Sequence, residues 1–307
     1  MGQRSVEKLH TFVIPAYGES PYLEACIMSL RAQRLRSRIL MVTSTPNEMI
    51  SRLAKRYEVP LFVNPGPGGI AGDWNFGVQQ VETPLFTIAH QDDVYLADFS
   101  LEVLRAYKRV REPILFFTDY WEIRGSRVVR SDRLLNVKRL MLKPLEVPGH
   151  WSSVWWRRRV LSMGDPICCP SVTYVKDKVM QAAVPADVAQ GELVGKEVGG
   201  NDAYGLGRKA AGSEREREVK KNLFLDGLKA NLDWQTWERL SKLEGAFVYL
   251  KRPLMEHRVH SGSETNRILE NHGRGREDLY MFEKFWPEPF AKLIWKVYST
   301  NERSAKA

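Results

Sequence analysis

Two adjacent carboxylates stand directly behind a short apolar run, where Leu85 to Ala89 is followed by His90-Gln91-Asp92-Asp93. Oxygen ligands of this kind suit Mg²⁺ or Mn²⁺, which take one or two protein carboxylates and complete their shells with phosphate and water. His90 adds a nitrogen ligand that suits Mn²⁺ better than Mg²⁺. A divalent ion held there would neutralise a departing diphosphate. The same residues also read as an acidic start to the helix marked by Leu96, Phe99, Val103, Leu104 and Tyr107, with Asp98 contributing. On the two carboxylates alone, both readings stand.

Two further patterns point elsewhere. Gly66-Pro67-Gly68-Gly69-Ile70-Ala71 fits the G-x-G-x-x-A turn of dinucleotide-binding oxidoreductases, and Asp92 follows about twenty positions later. The turn follows the third strand signal rather than the first, however, and Pro67 is unusual in it. Gly205 to Ala210 repeats the pattern within a polar stretch with no strand before it, and no Walker A sequence occurs. Arg31 to Arg38 and Arg157 to Arg159 are basic, with Trp151, Trp155 and Trp156 interleaved. That composition suits stacking plus phosphate contact in a nucleic-acid-binding protein. The first cluster ends a helix, where cations favour the macrodipole. Solvated faces explain both clusters more simply, and no nucleic-acid partner is expected.

These residues need a scaffold. Leu9 to Ile14, Ile39 to Val42, Leu61 to Val63, Leu85 to Ala89 and Ile114 to Phe117 read as strands, and amphipathic helices separate them. Ser20-Pro21 is an expected N-cap with Pro at the first helical position, and Thr45-Pro46-Asn47-Glu48 an expected capping box. Strands alternating with helices imply an α/β fold. Ligands of such sheets bind beyond the carboxyl ends of the strands. That rim comprises Pro15 to Glu19, Thr43 to Thr45, Asn64 to Gly69 and His90 to Asp93. Tyr120 to Val129 predicts a hairpin around Gly125-Ser126. Gln181 to Lys221 is rich in Gly, Ala, Glu, Arg and Lys and poor in large apolar groups, so a mobile insertion with partial helix near 213–221 is expected. Leu228 to Leu243 reads as helix. Leu279 to Tyr298 reads as two amphipathic pieces broken by Pro287 and Pro289.

The chain has 307 residues, with 46 Lys and Arg against 37 Asp and Glu, a formal charge of +9. This excess favours anionic partners without choosing among them. No apolar run is long enough to span a bilayer. Met1 to Phe12 holds no apolar signal core, and Val6 stands where a myristoylation site needs Ser or Thr. Three cysteines make no disulfide framework or zinc spacing, and no Asn-x-Ser/Thr sequon occurs. A cytoplasmic protein is expected.

A resemblance adds to these readings. Phe12-Val13-Ile14-Pro15-Ala16-Tyr17-Gly18-Glu19, Tyr22-Leu23 and Ser29-Leu30-Arg31-Ala32-Gln33 resemble the first strand and helix of family 2 glycosyltransferases. Asn64, Gly69-Ile70-Ala71 and Asn75-Phe76-Gly77 are similar to their second glycine-containing stretch. His90-Gln91-Asp92-Asp93 falls at their metal-binding DXD motif, with His90 where the family usually has Asp. Gly164 to Ser171 resembles an acceptor-side segment. Asn231-Leu232-Asp233-Trp234 with Arg239-Leu240 resembles the catalytic-base motif. Tyr249, Pro253, Arg258-Val259-His260 and Ser263 resemble the closing motif. Where the family usually has an acidic residue after its second strand, this chain has Thr43-Ser44-Thr45.

The resemblance implies a GT-A fold: a Rossmann-like, mixed and mostly parallel sheet flanked by helices, with a helical C-terminal tail. It divides one domain, 1–307, into a nucleotide-sugar half (1–118), an acceptor half with the insertion (119–265) and the tail (266–307). It implies inverting transfer from a nucleotide-diphosphate sugar to a hydroxyl of a saccharide or lipid-linked saccharide, in cell-surface, capsular or exopolysaccharide assembly. Asp233 would be the base. Asp92, Asp93 and His90 would hold Mn²⁺ or Mg²⁺. Pro15, Ala16, Tyr17, Glu19, Thr43, Asn75, Gln91, Asp92, Arg258 and His260 would line the donor. The aromatic, basic tail suits peripheral contact with the inner membrane face as a secondary use, with packing onto the sheet as the simpler one. The alternatives are a dinucleotide-binding oxidoreductase, or a catalytically inactive nucleotide- or nucleic-acid-binding protein.

Overall fold

The computed structural model describes residues 7–185, 221–260 and 274–304. The strands are β1 (His10–Pro15), β2 (Arg38–Thr43), β3 (Leu61–Val63), β4 (Leu85–Ile88), β5 (Val94–Tyr95), β6 (Pro113–Arg124), β7 (Arg127–Val129), β8 (Val172–Val175), β9 (Val184–Pro185), β10 (Lys221–Asn222) and β11 (Ala246–Val259). The α-helices are α1 (Leu23–Arg31), α2 (Glu48–Arg56), α3 (Ile70–Gln80), α4 (Phe99–Tyr107), α5 (Arg133–Leu142), α6 (Val154–Leu161), α7 (Lys176–Val179), α8 (Leu232–Leu240), α9 (Arg274–Glu283) and α10 (Glu288–Ser304). The main sheet runs β3-β2-β1-β4-β8-β6-β11-β5, with β7 beside β6. Neighbours among β3, β2, β1 and β4 are parallel, as are β6 and β11. β8 is antiparallel between β4 and β6, and β5 is antiparallel on β11. This is the mixed, mostly parallel GT-A sheet that the resemblance implies.

Strand alternation divides the core between two faces. Phe12 and Ile14 of β1 pack with Leu23 and Ile27 of α1, Ile50 and Leu53 of α2, and Phe99 and Val103 of α4. Val13 points the other way, to Trp74 and Val78 of α3 and a core that includes Trp234 and Trp237 of α8. α3 lies tight on the sheet at Gly77, where a Cβ would stand 2.5 Å from Val13 Cγ1. Met281 and Phe282 of α9 and Ala291 of α10 are fully buried in the same core.

Several local expectations change. The cap of α2 is Asn47, whose Oδ1 accepts the Ile50 N–H at 2.9 Å, and not Thr45. The hydroxyl of Thr45 accepts the Gly18 N–H instead. α1 begins after Tyr22, with Ser20 accepting the Tyr22 N–H at 3.3 Å. The hairpin at Gly125-Ser126 is present, and β6 runs unbroken through Thr118 and Asp119, so the two halves share a strand. β8 and β11, both interior to the sheet, carry no clear strand signal in the sequence. β8 is only four residues, and Pro253 inside β11 argues against a central strand. Register shifts around Leu250, Pro253 and Met255 accommodate that proline.

Most of the expected insertion, 186–220, lies outside the described residues. Its edges do not: Val184 and Pro185 pair antiparallel with Asn222 and Lys221. The expected helix near 213–221 also lies outside the described residues, apart from Lys221 in β10. Among the described residues no helix is long and apolar enough to cross a membrane.

Candidate active site

The site is built where the turn after β4 leads into β5, which pairs antiparallel with the end of β11. After β4 the chain turns through His90 to Asp93, with the Asp93 N–H donating to the His90 carbonyl at 3.2 Å. Asp93 is fully buried. Its Oδ1 lies 3.0 Å from His257 Nδ1 and accepts the Arg258 N–H at 2.8 Å. Arg258 Nε donates to the Asp92 carbonyl at 2.9 Å, and its guanidinium lies 4.4 Å from the centre of the Tyr22 ring. His260 Nε2 stands 2.9 Å from Asp92 Oδ2. The closing segment is therefore clamped to the carboxylates after β4. Burial alone would lower the His257 pKa, but the Asp93 carboxylate more than offsets this and holds the imidazole at about 8.

Two polar atoms here stand out. Asp93 Oδ2 and His90 Nε2 are buried without a hydrogen-bond partner. Buried polar groups are rarely left unmatched unless a ligand, water or ion completes them. One ligand atom from each of His90, Asp92 and Asp93 fits within a 4.8 Å cluster. The residues thus fit a divalent cation.

Asp233 approaches from another element. It sits in the first turn of α8, half-buried, with Oδ1 accepting the Trp234 N–H at 2.8 Å. Burial raises its carboxyl above the usual carboxylate range. The Trp234 N–H and the charges of His90 and Lys138 oppose that shift without cancelling it. Sequence reasoning missed what fixes α8. Glu277 of α9 accepts the backbone N–H groups of Lys229, Ala230 and Asn231 at 3.0, 2.8 and 3.1 Å. Asp278 accepts the Asn231 amide at 2.8 Å. These carboxylates satisfy donors of the segment that leads into α8, and their charge favours the start of that helix. A polar pair on an amphipathic tail carries no sign of that in sequence.

The remaining expected donor residues occupy different situations. Gln91 clasps the backbone of exposed Tyr17, accepting its N–H and donating to its carbonyl, both at 3.1 Å. Pro15 ends β1 half-buried, Ala16 is fully buried and Glu19 is exposed on the same rim. Thr43 is buried, and its hydroxyl accepts the Thr45 N–H. Asn75 is buried. Both ends of its amide bond the Phe224 backbone, at 2.7 and 3.0 Å, so it holds the segment before α8 against α3.

Several residues of the basic clusters bond within the chain, Arg157 in the core and Arg34 and Arg38 at the surface. Arg157 is fully buried, donating to the carbonyls of Gly245 and Leu243. Arg158 pairs with Glu238, Arg34 with Asp98 and Arg38 with Glu82. The expectation of a solvated face therefore fails for Arg157, because its guanidinium closes the turn before β11. A separate cleft of about 520 Å³ opens beside the amino ends of β1 and β2, away from the carboxylate rim.

Residues 11–163 match the family model described as Glycosyl transferase family 2. The chain carries that family's domain and is a glycosyltransferase of the GT-A fold. Its structure is similar to S. aureus TarS 1–349 in complex with UDP-GlcNAc, with TM-score 0.55, 12% identity, and coverage of 94% of this chain and 70% of that one. It is also similar to the mannosyltransferase PcManGT from Pyrobaculum calidifontis in complex with GDP-Man and Mn²⁺, with TM-score 0.53, 11% identity, and coverage of 94% and 69%. At such identities the likeness is one of fold. No curated protein matches the chain.

Proposed function

We propose that the protein transfers a sugar, with inversion, from a nucleotide-diphosphate sugar to a hydroxyl of a saccharide or lipid-linked saccharide in cell-surface polysaccharide assembly. One observation carries the reading. The ligand atoms of His90 and Asp93 that lack a hydrogen bond, beside Asp92, lie within electrostatic reach of a second, burial-raised carboxylate on α8. That is the division of labour a displacement at an anomeric carbon needs.

Asp92, Asp93 and His90 would hold a divalent cation, which supplies charge neutralisation at the diphosphate. Arg258, fixed by the Asp92 carbonyl, adds a cationic donor for the same phosphates. Tyr17, Pro15 and Thr43 to Thr45 border the nucleoside. The acceptor oxygen attacks the anomeric carbon from the side opposite the diphosphate. The new C–O bond forms as the bond to the diphosphate oxygen breaks, and Asp233 takes the acceptor's proton. Its raised pKa makes it a better base than an exposed carboxylate.

Binding of UDP, GDP and their sugars with and without Mn²⁺, followed by calorimetry, tests the reading. We expect Mn²⁺-dependent binding in the wild type and its loss in Asp92→Ala. Affinity that is unchanged by Mn²⁺, or by the substitution, counts against it. The exposed side of the C-terminal helix supports peripheral contact with an acidic membrane surface.

A further inference from the structure

α5 carries a lysine on its inward face. The helix is capped by Asp132, whose Oδ1 accepts the Leu135 N–H at 2.8 Å. Leu135 and Leu142 are buried, and Lys138 stands three residues after the first and four before the second, so it shares their face. Its side chain is half-buried, and its ammonium lies 5.9 Å from the centre of the buried Tyr120 ring. Lysine is rarely placed on such a face unless its charge is paired. Nearby cations of α5 and β6 are paired: Arg139 with Asp119, and Arg124 with Glu122 and Asp132. Among the described residues no carboxylate comes within ion-pair distance of Lys138.

The topology brings this ammonium to the same rim as Asp233. β8 is antiparallel to β4, so the loop that enters it, 164–171, arrives beside His90 to Asp93. β6 pairs with β8 only as far as Phe117 and Val172, then runs on past the rim through Tyr120. Gly164 lets α5 and α10 close over that loop. A Cβ there would stand 2.7 Å from Tyr298 and 3.2 Å from Met141, one turn after Lys138. The charge of Lys138 is felt at Asp233. Burial alone would lower the Lys138 pKa, but Tyr120, Asp165 and Cys168 raise it above its ordinary value, so the group is an ammonium at neutral pH.

Carboxylates such as Asp233 accept hydroxyl protons, which every saccharide offers. An ammonium only donates, and an anionic oxygen matches it better than a hydroxyl does. We infer that Lys138 binds an acidic group, a carboxylate or a phosphate, on the saccharide that offers its hydroxyl to Asp233. The inference rests on the proposed glycosyl-transfer reading of the rim and adds to it the charge of the acceptor.

The test titrates the protein, saturated with Mn²⁺ and UDP or GDP, with matched sugars: glucuronate, galacturonate, glucose 6-phosphate and the neutral parent hexoses. Wild type should bind at least one acidic sugar about tenfold or more tighter than its parent, the scale of one charge-assisted hydrogen bond. A preference for the uronates names a carboxylate as the bound group, and a preference for the phosphosugar names a phosphate. Lys138→Met should bring the ratio of acidic to neutral affinity close to one, and Lys138→Arg should keep most of it. Lys138→Gln takes the place of the methionine variant if that one does not fold. Failure to bind any acidic sugar, equal affinity for acidic and neutral sugars, or a ratio unchanged by loss of the lysine charge overturns the inference and leaves the donor reading standing. A wild type that binds neither UDP nor GDP with Mn²⁺ overturns both.

Discussion

Asp233 is where the chemistry is most exposed to test. Replacing it with Asn removes the proposed proton acceptor and keeps the shape, so transfer should fall by about 10³-fold while nucleotide affinity stays close to wild type. Stability should move the other way. Burial raises the folded-state pKa above 3.8, so the fold favours the protonated form. The stability Asp233 contributes is greatest below pH 3.8 and is lost as pH rises through its folded value. At neutral pH Asp233→Asn should therefore melt no lower than wild type. A variant that loses both activity and several degrees of Tm would assign Asp233 a structural role. By the same shift, the acid limb of the wild-type kcat profile should lie above the ordinary carboxylate range. His90, Asp92 and Asp93 are legible in sequence because they are contiguous behind one strand. Asp73, which accepts the Ser44 hydroxyl proton, and Glu277 are not, because each acts on backbone or hydroxyl groups from another element.

At the scale of elements, the structure shows why the tail matters to the site. Glu277 of α9 collects three N–H groups immediately before α8, and α8 carries Asp233. Glu277→Ala should cost about 1–3 kcal/mol in urea unfolding, as buried or charge-assisted donors lose their partner. It should also lower kcat more than it raises KM for the donor. Arg157→Met is the corresponding test for the turn before β11. Leaving the Leu243 and Gly245 carbonyls unmatched should destabilise by about 2–4 kcal/mol without altering nucleotide selectivity. The first four strands and three helices were readable because periodicity and turn residues agree there. β8 and β11 were not, because a four-residue strand has too short a period and Pro253 is tolerated only through a register shift.

For the whole molecule, the exposed stripe of α10 is the surface feature with a test of its own. α10 buries Ala291 and packs Ile294, Trp295 and Tyr298 against the core, yet leaves Phe290, Leu293 and Val297 at 59%, 61% and 58% exposure. Lys292 and Lys296 flank that stripe, and the chain's charge of +9 disfavours burying it against a second copy of itself. An acidic bilayer surface meets both features. Flotation with anionic and neutral liposomes should recover the protein only with the anionic ones, less at high salt. Phe290→Ser with Leu293→Ser should abolish recovery while donor hydrolysis in solution continues. Equal recovery with neutral vesicles, or none at low salt, would refute membrane contact.

The sequence by itself determined the strand–helix alternation, the carboxylates after β4 and the order of the motifs. These are local patterns, set by side-chain periodicity and by ligands adjacent in the chain. Only the tertiary structure decided which of them meet. It joined Asp92 and Asp93 to His257, Arg258 and His260, some 165 positions away. It turned Asn75 inward to hold Phe224. It brought the Asp73 carboxylate of α3 to the Ser44 hydroxyl. Hydrogen-bond direction and burial depend on neighbours that the linear chain keeps apart, and those two properties decide what His90, Asp93 and Asp233 can do.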